Sequence, residues 1–403
     1  MKKIEGGVCA PEGFKANGVH CGIRKNKTKR DLSLIVSDVR CAAACVYTQN
    51  LVKGAPIAVT KRHVADGYAQ AIVCNSGNAN TCNANGEAIA EGMCKLVSER
   101  TGIPAEDVVV ASTGVIGQPL SLDPIAAGMD ELVKGLGDNS LFAAQGIMTT
   151  DTVDKQIAYT FTLGGKECRI GAIGKGVGMI NPNMATMLIF ITTDVSISPA
   201  MLQKALSADV KDSFNMVSVD GDTSTNDMVC VLANGQAGNA CIEENGKDFA
   251  TFRKALNKVT TNLCRRIAKD GEGATKLLEC KVVGAKSKNA AKLIAKSVIK
   301  SSLFKAAMFG ADANWGRVLC AIGYAGADAD ITKIDVDFKS KAGTLAVCRG
   351  GSGIPFSEEE AKEILSCDEI EILINMNDRG GRATAWGCDL TYDYVKINGD
   401  YRT

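Results

Sequence analysis

Histidine is almost absent from this chain. Among 403 residues there are two, His20 and His63. Such scarcity weakens a Ser-His-Asp or Cys-His proposal and leaves room only for an arrangement that uses a single histidine. Paired metal ligands at short spacing are also lacking. The 16 cysteines are scattered from Cys9 to Cys388, none falls in a CxxC, and the nearest pair is Cys41 and Cys45. Zinc sites announce themselves by closer pairing. Most of the cysteines stand among Ala, Val, Ile or Leu, as in Val73-Cys74 and Val229-Cys230-Val231, and read as buried, reduced, small hydrophobes. There is no charge of one sign to speak of: 46 basic residues face 45 acidic ones, for a formal net charge of +1. Such a balance gives no field to gather nucleic acid or an anionic membrane. No apolar run has the length of a membrane helix. Lys2-Lys3 is followed by Glu5, Gly6 and Gly7 where a signal peptide needs an apolar stretch, so the expected location is the cytoplasm. Low-complexity segments and short-period repeats are missing as well.

What remains is ordinary globular material, 46% hydrophobic and 23% charged, long enough for a large core and two or so domains. Short strands alternate with helices, which reads as a layered α/β architecture. Expected strands are Ala71–Cys74, Asp107–Ala111, Arg169–Ile173, Met187–Thr193, Met228–Leu232, Ile331–Phe338, Leu345–Cys348, Ile370–Met376 and Arg382–Leu390. One helix is expected near Ser121, with Pro124 in its first turn, and another after Ser198, with Pro199 at the first helical position. A long helix from about Phe249 to Lys269 carries the stripe Phe249, Phe252, Leu256, Val259, Leu263 and Ile267, with Gly271 beyond its end. Ser357-Glu358-Glu359-Glu360 is a capping box for a helix at Ala361–Leu365. The Lys- and Ala-rich stretch Val283–Lys305 reads as a helix at the edge of a smaller C-terminal domain.

The densest chemistry lies between Gly174 and Asp194, GKGVGMINPNMATMLIFITTD. A Gly-rich loop with Lys175 runs into an Asn-Pro-Asn turn, and Thr186 heads the apolar run Met187-Leu188-Ile189-Phe190-Ile191. One reading is a loop that leads into a core strand. The other is a nucleophile held still at the mouth of a rigid strand. Were the Ala185–Thr186 bond cut, Thr186 would own both a hydroxyl and a free α-amine, the self-activating pair of N-terminal threonine enzymes. Lys175 does not complete a phosphate loop, because Gly176 stands where Ser or Thr is required. Thr113-Gly114, after a strand, reads either as a turn or as an oxyanion hole. Glu272, at a helix exit, reads locally as a solvent-facing turn.

The segment from Lys175 to Leu188 resembles the self-cleavage motif KGxGMIxPxMATML of the ornithine acetyltransferase family, the bifunctional glutamate N-acetyltransferases of the cyclic arginine pathway. Further blocks resemble the same family in consistent order: Asn75-Ser76-Gly77-Asn78-Ala79-Asn80, Ser112-Thr113-Gly114-Val115-Ile116-Gly117, Met148-Thr149-Thr150-Asp151-Thr152, Val219 to Asp227, and the tail Tyr394 to Thr403. The resemblance covers the chain from end to end. It departs at Ala311 and Ala313, where the family usually has Arg and Pro.

The resemblance implies a layered α-β-β-α sandwich of the self-cleaving N-terminal-threonine type, spanning 1–285, with a smaller α/β C-terminal domain over 286–403. It implies cleavage between Ala185 and Thr186 into an α chain, 1–185, and a β chain, 186–403, assembled as two α and two β chains. Thr186 is then the nucleophile that takes the acetyl group from N-acetylornithine, releases ornithine and passes the acetyl to glutamate to give N-acetylglutamate. Thr113 and Gly114 are the implied oxyanion hole. Thr152, Lys175, Thr186, Glu272, Asn398 and Thr403 are the implied substrate contacts. No metal or cofactor is implied, and no nucleic acid or membrane. Whether acetyl-CoA also serves as donor is left open by the sequence. A Lys175 ammonium near the Thr186 α-amine would depress its pKa from the usual value of about 7.7–8.0. Two alternatives stand beside this reading. One is a self-cleaving aminopeptidase or amidase that sends the acyl group to water. The other is a cysteine-rich metal-binding or redox scaffold.

Overall fold

The computed structural model of the protein describes residues 1–181 and 187–400. In chain order the strands among them are β1 (Lys2–Ile4), β2 (Phe14–Val19), β3 (Leu32–Tyr47), β4 (Tyr68–Asn78), β5 (Val108–Val115), β6 (Lys155–Leu163), β7 (Lys166–Lys175) and β8 (Leu188–Thr193). They continue with β9 (Val217–Ser218), β10 (Met228–Ala233), β11 (Leu277–Ala285), β12 (Asp335–Ser340), β13 (Gly343–Arg349), β14 (Ser352–Gly353), β15 (Glu369–Asn375) and β16 (Gly381–Cys388). The chain packs as two compact units. The first lies within 1–176, 183–211 and 223–263, the second within 177–182, 212–222 and 264–403.

The first unit holds a nine-stranded sheet in the order β1-β6-β7-β8-β10-β3-β4-β5, with β2 paired to β3. Alternation along β4 sends its side chains to two different cores. Ile72 and Cys74 join Ile35, Val109 and Ala111 and the helix Ser140–Ile147, through Ala143, Ala144 and Ile147. Ala71 and Val73 join Leu34, Val108 and Val110, together with Met93 and Val97 of the helix Gly86–Thr101 and Met129 and Leu132 of the helix Asp123–Lys134. Burial on both faces explains why β4 and β5 read as continuous apolar runs.

The second unit holds a seven-stranded sheet in the order β14-β13-β12-β15-β11-β16-β9. Ser287 caps the helix Lys288–Lys300 by accepting from the Ala290 N–H at 3.1 Å. That helix buries Ala290, Ala291, Ile294, Ala295, Val298 and Ile299. Ser357 caps the helix Glu358–Leu365 through the Glu360 N–H at 3.2 Å, as the capping box indicates.

The fold is α/β, as expected. Two expected elements differ in detail. Within Val283–Lys305 the chain first finishes β11 at Ala285, and after Ser301 a second helix begins at Ser302. Ile331 belongs to a 3-10 turn, Ile331–Lys333, closed by Asp330, and β12 starts only at Asp335. Of the 16 cysteines, ten are buried, consistent with their apolar neighbours in sequence. Among the described residues no helix is long and apolar enough to cross a membrane.

Candidate functional site

Two strand ends of the first unit bring Thr113, Gly114 and Lys175 together. Thr113 and Gly114 lie just before Val115, the last residue of β5, paired in parallel with Ser76 and Gly77 of β4. Gly114 has φ +132°, and a Cβ there would stand 2.4 Å from the Gly77 carbonyl carbon. Glycine is therefore required twice over, by the backbone angle and by the close approach. Lys175 is the last residue of β7 and lies opposite Leu188 of β8. Its Nζ donates to the Thr113 Oγ1 at 3.3 Å. Leu188 is two positions beyond Thr186, so the β7–β8 register holds Lys175 level with the entrance of the strand that follows the expected nucleophile. Ala185, Thr186 and Thr403 lie outside the described residues.

Behind Lys175 is a cluster of buried charge. Lys155 is fully buried, and its Nζ meets the Asp151 Oδ1 at 2.7 Å. Asp151 also accepts from the Gly176 N–H at 3.0 Å and the Thr149 N–H at 2.9 Å. Burial by itself would raise the Asp151 pKa, but Lys155, Lys175 and the hydrogen bonds outweigh it and hold the carboxyl at about 2. Burial pushes the Lys175 ammonium below the ordinary lysine range; Lys155 adds to that shift, and Asp151 and Asp227 oppose it. Asp227, just before β10, is 3% exposed, and its Oδ2 has no hydrogen-bond partner among the described residues. Burial raises its pKa well above the carboxylate range, against the pull of Ser224, Lys175 and Thr48. The arrangement can offer a hydroxyl, a strand-end N–H and a cation to a developing negative charge.

In the second unit, Glu272 and Asn398 meet: the Asn398 Nδ2 donates to the Glu272 Oε2 at 2.9 Å. The Glu272 N–H donates to the Val177 carbonyl at 3.0 Å. A Cβ on Gly178 would lie 2.6 Å from the Glu272 carboxyl, so this glycine leaves the carboxylate its space. Thr152 is exposed next to Asp151 in the chain.

Thr113, Gly114 and Lys175 are thus neighbours in one unit, and Glu272 and Asn398 are neighbours in the other. Sequence reasoning missed Asp151, Lys155 and Asp227 as charged groups of the first site. Asp151 and Asp227 both stand in motif blocks, which was the available signal. Lys155 stands in none.

A sheet whose strand ends gather a hydroxyl, a lysine and buried carboxyls, in a two-sheet protein, makes this an α/β enzyme. Comparison with known proteins narrows the class. The ArgJ family matches residues 15–403, and the chain belongs to that family. It is 50% identical over 392 residues to the arginine biosynthesis bifunctional protein ArgJ 1 of Clostridium acetobutylicum, covering 97% of this chain and 96% of the relative. To the arginine biosynthesis bifunctional protein ArgJ of Caldanaerobacter subterraneus subsp. tengcongensis it is 48% identical over 405 residues, covering 100% of each. A crystal structure of the arginine biosynthesis bifunctional protein of Bacillus halodurans, 46% identical, aligns with a TM-score of 0.50 over 53% of this chain and 98% of that one.

Proposed function

We propose that the protein is a self-cleaving acetyltransferase of arginine biosynthesis that moves an acetyl group from N-acetylornithine to glutamate through acetyl-Thr186. The observation that carries the reading is the Lys175 to Thr113 hydrogen bond at 3.3 Å, level with the start of β8. It supports a hydroxyl and a cation held level with the entrance of the strand that follows Thr186 in the sequence.

In the precursor, the Thr186 Oγ attacks the Ala185 carbonyl carbon. The Ala185–Thr186 C–N bond breaks as the Oγ proton passes to the departing nitrogen, and water hydrolyses the resulting ester, which leaves the Ala185 carboxylate and restores the Thr186 hydroxyl. The freed α-amine of Thr186 then takes the Oγ proton as Oγ bonds to the acetyl carbon of N-acetylornithine. Thr113 and Gly114 hold the oxyanion. The C–N bond of the donor breaks, and the proton passes to the departing ornithine nitrogen. Glutamate reverses the sequence with its own α-amine and leaves as N-acetylglutamate. This is ping-pong covalent catalysis. Glu272 with Asn398 offers a carboxylate suited to the ammonium of ornithine, and Thr152, Lys175 and Thr403 complete the proposed substrate contacts. The proposal includes a cytoplasmic assembly of two α and two β chains, and acetyl-CoA as a second donor to be tested.

Intact mass after incubation with N-acetylornithine tests the reading. Two chains that meet at Ala185–Thr186, with one acetyl gained on the Thr186 chain, are expected. Release of acetate with no transfer to glutamate would move the protein to the amidases. A single uncleaved chain would remove the N-terminal nucleophile.

A further inference from the structure

The carboxylate of Asp220 grips the backbone just ahead of the proposed cleavage segment. Its Oδ2 accepts from the Met179 N–H at 2.6 Å and its Oδ1 from the Ile180 N–H at 2.9 Å. The Oδ1 also accepts from the Asp222 N–H at 3.1 Å. Two further bonds tie the same stretches together: the Val219 N–H donates to the Ile180 carbonyl at 2.7 Å, and the Asn181 Nδ2 donates to the Gly221 carbonyl at 2.8 Å. Met179 sits at φ +52°, a left-handed conformation that a side chain of its kind rarely adopts. Without a fixed partner, this short run has no local reason to hold that turn. It has neither a glycine at 179 nor a helix or strand to continue. A carboxylate accepting two successive backbone N–H groups is the kind of charge-assisted contact that can hold it.

On the other side of the proposed bond, the chain is pinned by strand pairing. The Met228 N–H donates to the Met187 carbonyl at 2.9 Å, and Leu188 is paired with Lys175 and Met228 on either side. Strain at a special backbone angle persists only where the surroundings over-determine it, and it gathers at sites where geometry matters. The four motif residues Val219 to Asp222 therefore do something more specific than close a surface turn. We propose that Asp220 is a positioning residue for self-cleavage, fixing residues 179–181 so that the chain enters the Ala185–Thr186 segment in the orientation the attack requires. The inference rests on the self-cleavage reading given above. Asp220 acts through the backbone N–H groups of Met179 and Ile180.

The test follows cleavage of freshly folded full-length precursor by intact mass. It compares wild type, Asp220→Ala, Asp220→Asn, Thr186→Ala and Ser287→Ala. Ser287→Ala removes a helix cap in the same unit and reports what lost stability alone does; thermal unfolding midpoints are measured for all. Asp220→Ala is expected to cleave at least tenfold more slowly than wild type, and Ser287→Ala at the wild-type rate. Asp220→Asn, which keeps one acceptor oxygen, is expected to fall between wild type and Asp220→Ala. Wild-type cleavage rates in Asp220→Ala would overturn the proposal. So would slowing that merely tracks the unfolding midpoint across Asp220→Ala and Ser287→Ala. If wild type stays as uncleaved as Thr186→Ala, the self-cleavage reading itself fails, and Asp220 loses its role with it.

Discussion

Replacing Asp151 by Asn removes the counter-charge of a lysine that has no access to water. In the folded protein the Asp151 carboxyl is held at about 2, against 3.8 for an ordinary aspartate. At about 1.4 kcal/mol per pKa unit, the preference for the ionised form corresponds to roughly 2 kcal/mol of stability at neutral pH. The substitution does more than forfeit that, because it takes the Asp151 charge away from a fully buried Lys155 ammonium. Breaking a buried pair from one side costs on the order of 3–5 kcal/mol. We expect Asp151→Asn to lose about that much in urea unfolding at pH 7, and Asp151→Asn combined with Lys155→Met to recover a substantial part. The pH dependence has a fixed sign. A depressed carboxylate contributes fully above its unfolded pKa of about 3.9 and loses the contribution as the pH falls through its folded value. The gap between wild type and Asp151→Asn should therefore be flat above about pH 5 and shrink from pH 4 toward 2. A loss below about 1 kcal/mol at pH 7, or a gap that ignores acid, would refute the reasoning. The substitution also reaches the site. Asp151 supports the Lys175 ammonium, so its loss should lower the Lys175 pKa further and shift the lysine-dependent limb of any activity profile to lower pH.

Two other substitutions follow from the strand ends. Thr113→Ala deletes the hydroxyl that faces Lys175; acetyl transfer from N-acetylornithine, followed by ornithine release, should fall by about 10²–10³-fold, the range for one oxyanion donor. Gly114→Ala forces a side chain onto φ +132° and against the Gly77 backbone. It should lower stability by at least about 1–3 kcal/mol in chemical denaturation and should abolish activity in whatever fraction still folds.

Much of the fold was legible because burial leaves a local trace. β4, β5, β8 and β10 are buried on both faces and show as short apolar runs. The helix starts at Ser198, Ser287 and Ser357 carry side-chain caps, and the first and last were readable as such. β3 was not legible. Its second half is Cys41-Ala42-Ala43-Ala44-Cys45, poor in the branched residues that favour strands, and its pairing register shifts between Val36 and Cys41 across the polar Ser37-Asp38-Val39-Arg40. Pairing with Leu232 and Val231 of β10 makes Ala43 and Ala44 a strand, and that information is nowhere near them in sequence. The site divides in the same way. Thr113, Gly114 and Lys175 stand in dense motif blocks. The Asp151–Lys155 pair has helical spacing but lies on no helix, so only the way the chain folds back at the start of β6 reveals it.

Asp227 shows how the charges of the first site settle. Lys155, Lys175, Asp151 and Asp227 share one poorly hydrated region. Asp151 is claimed by Lys155 and by two backbone N–H groups. Asp227 has an Oδ2 that is fully buried and without a hydrogen bond among the described residues. Leaving a buried carboxylate oxygen unpaired is costly. The cheaper solution is to keep the proton, in line with a pKa raised well above the ordinary value by burial. The cluster then carries a net positive charge beside Thr113, the sign that a developing oxyanion needs. Asparagine has nearly the shape of a protonated aspartate. Asp227→Asn should therefore change stability by less than about 1 kcal/mol, within the range of quiet substitutions, and leave the acetyl-transfer rate within about twofold. If Asp227 were instead ionised and serving as the counter-charge of Lys175, the same variant would strip a charge from a buried pair. It would then lose stability on the scale expected for Asp151→Asn and lower the transfer rate at least tenfold. Measuring both variants in parallel, by urea unfolding and by ornithine release, decides which carboxyl carries the charge.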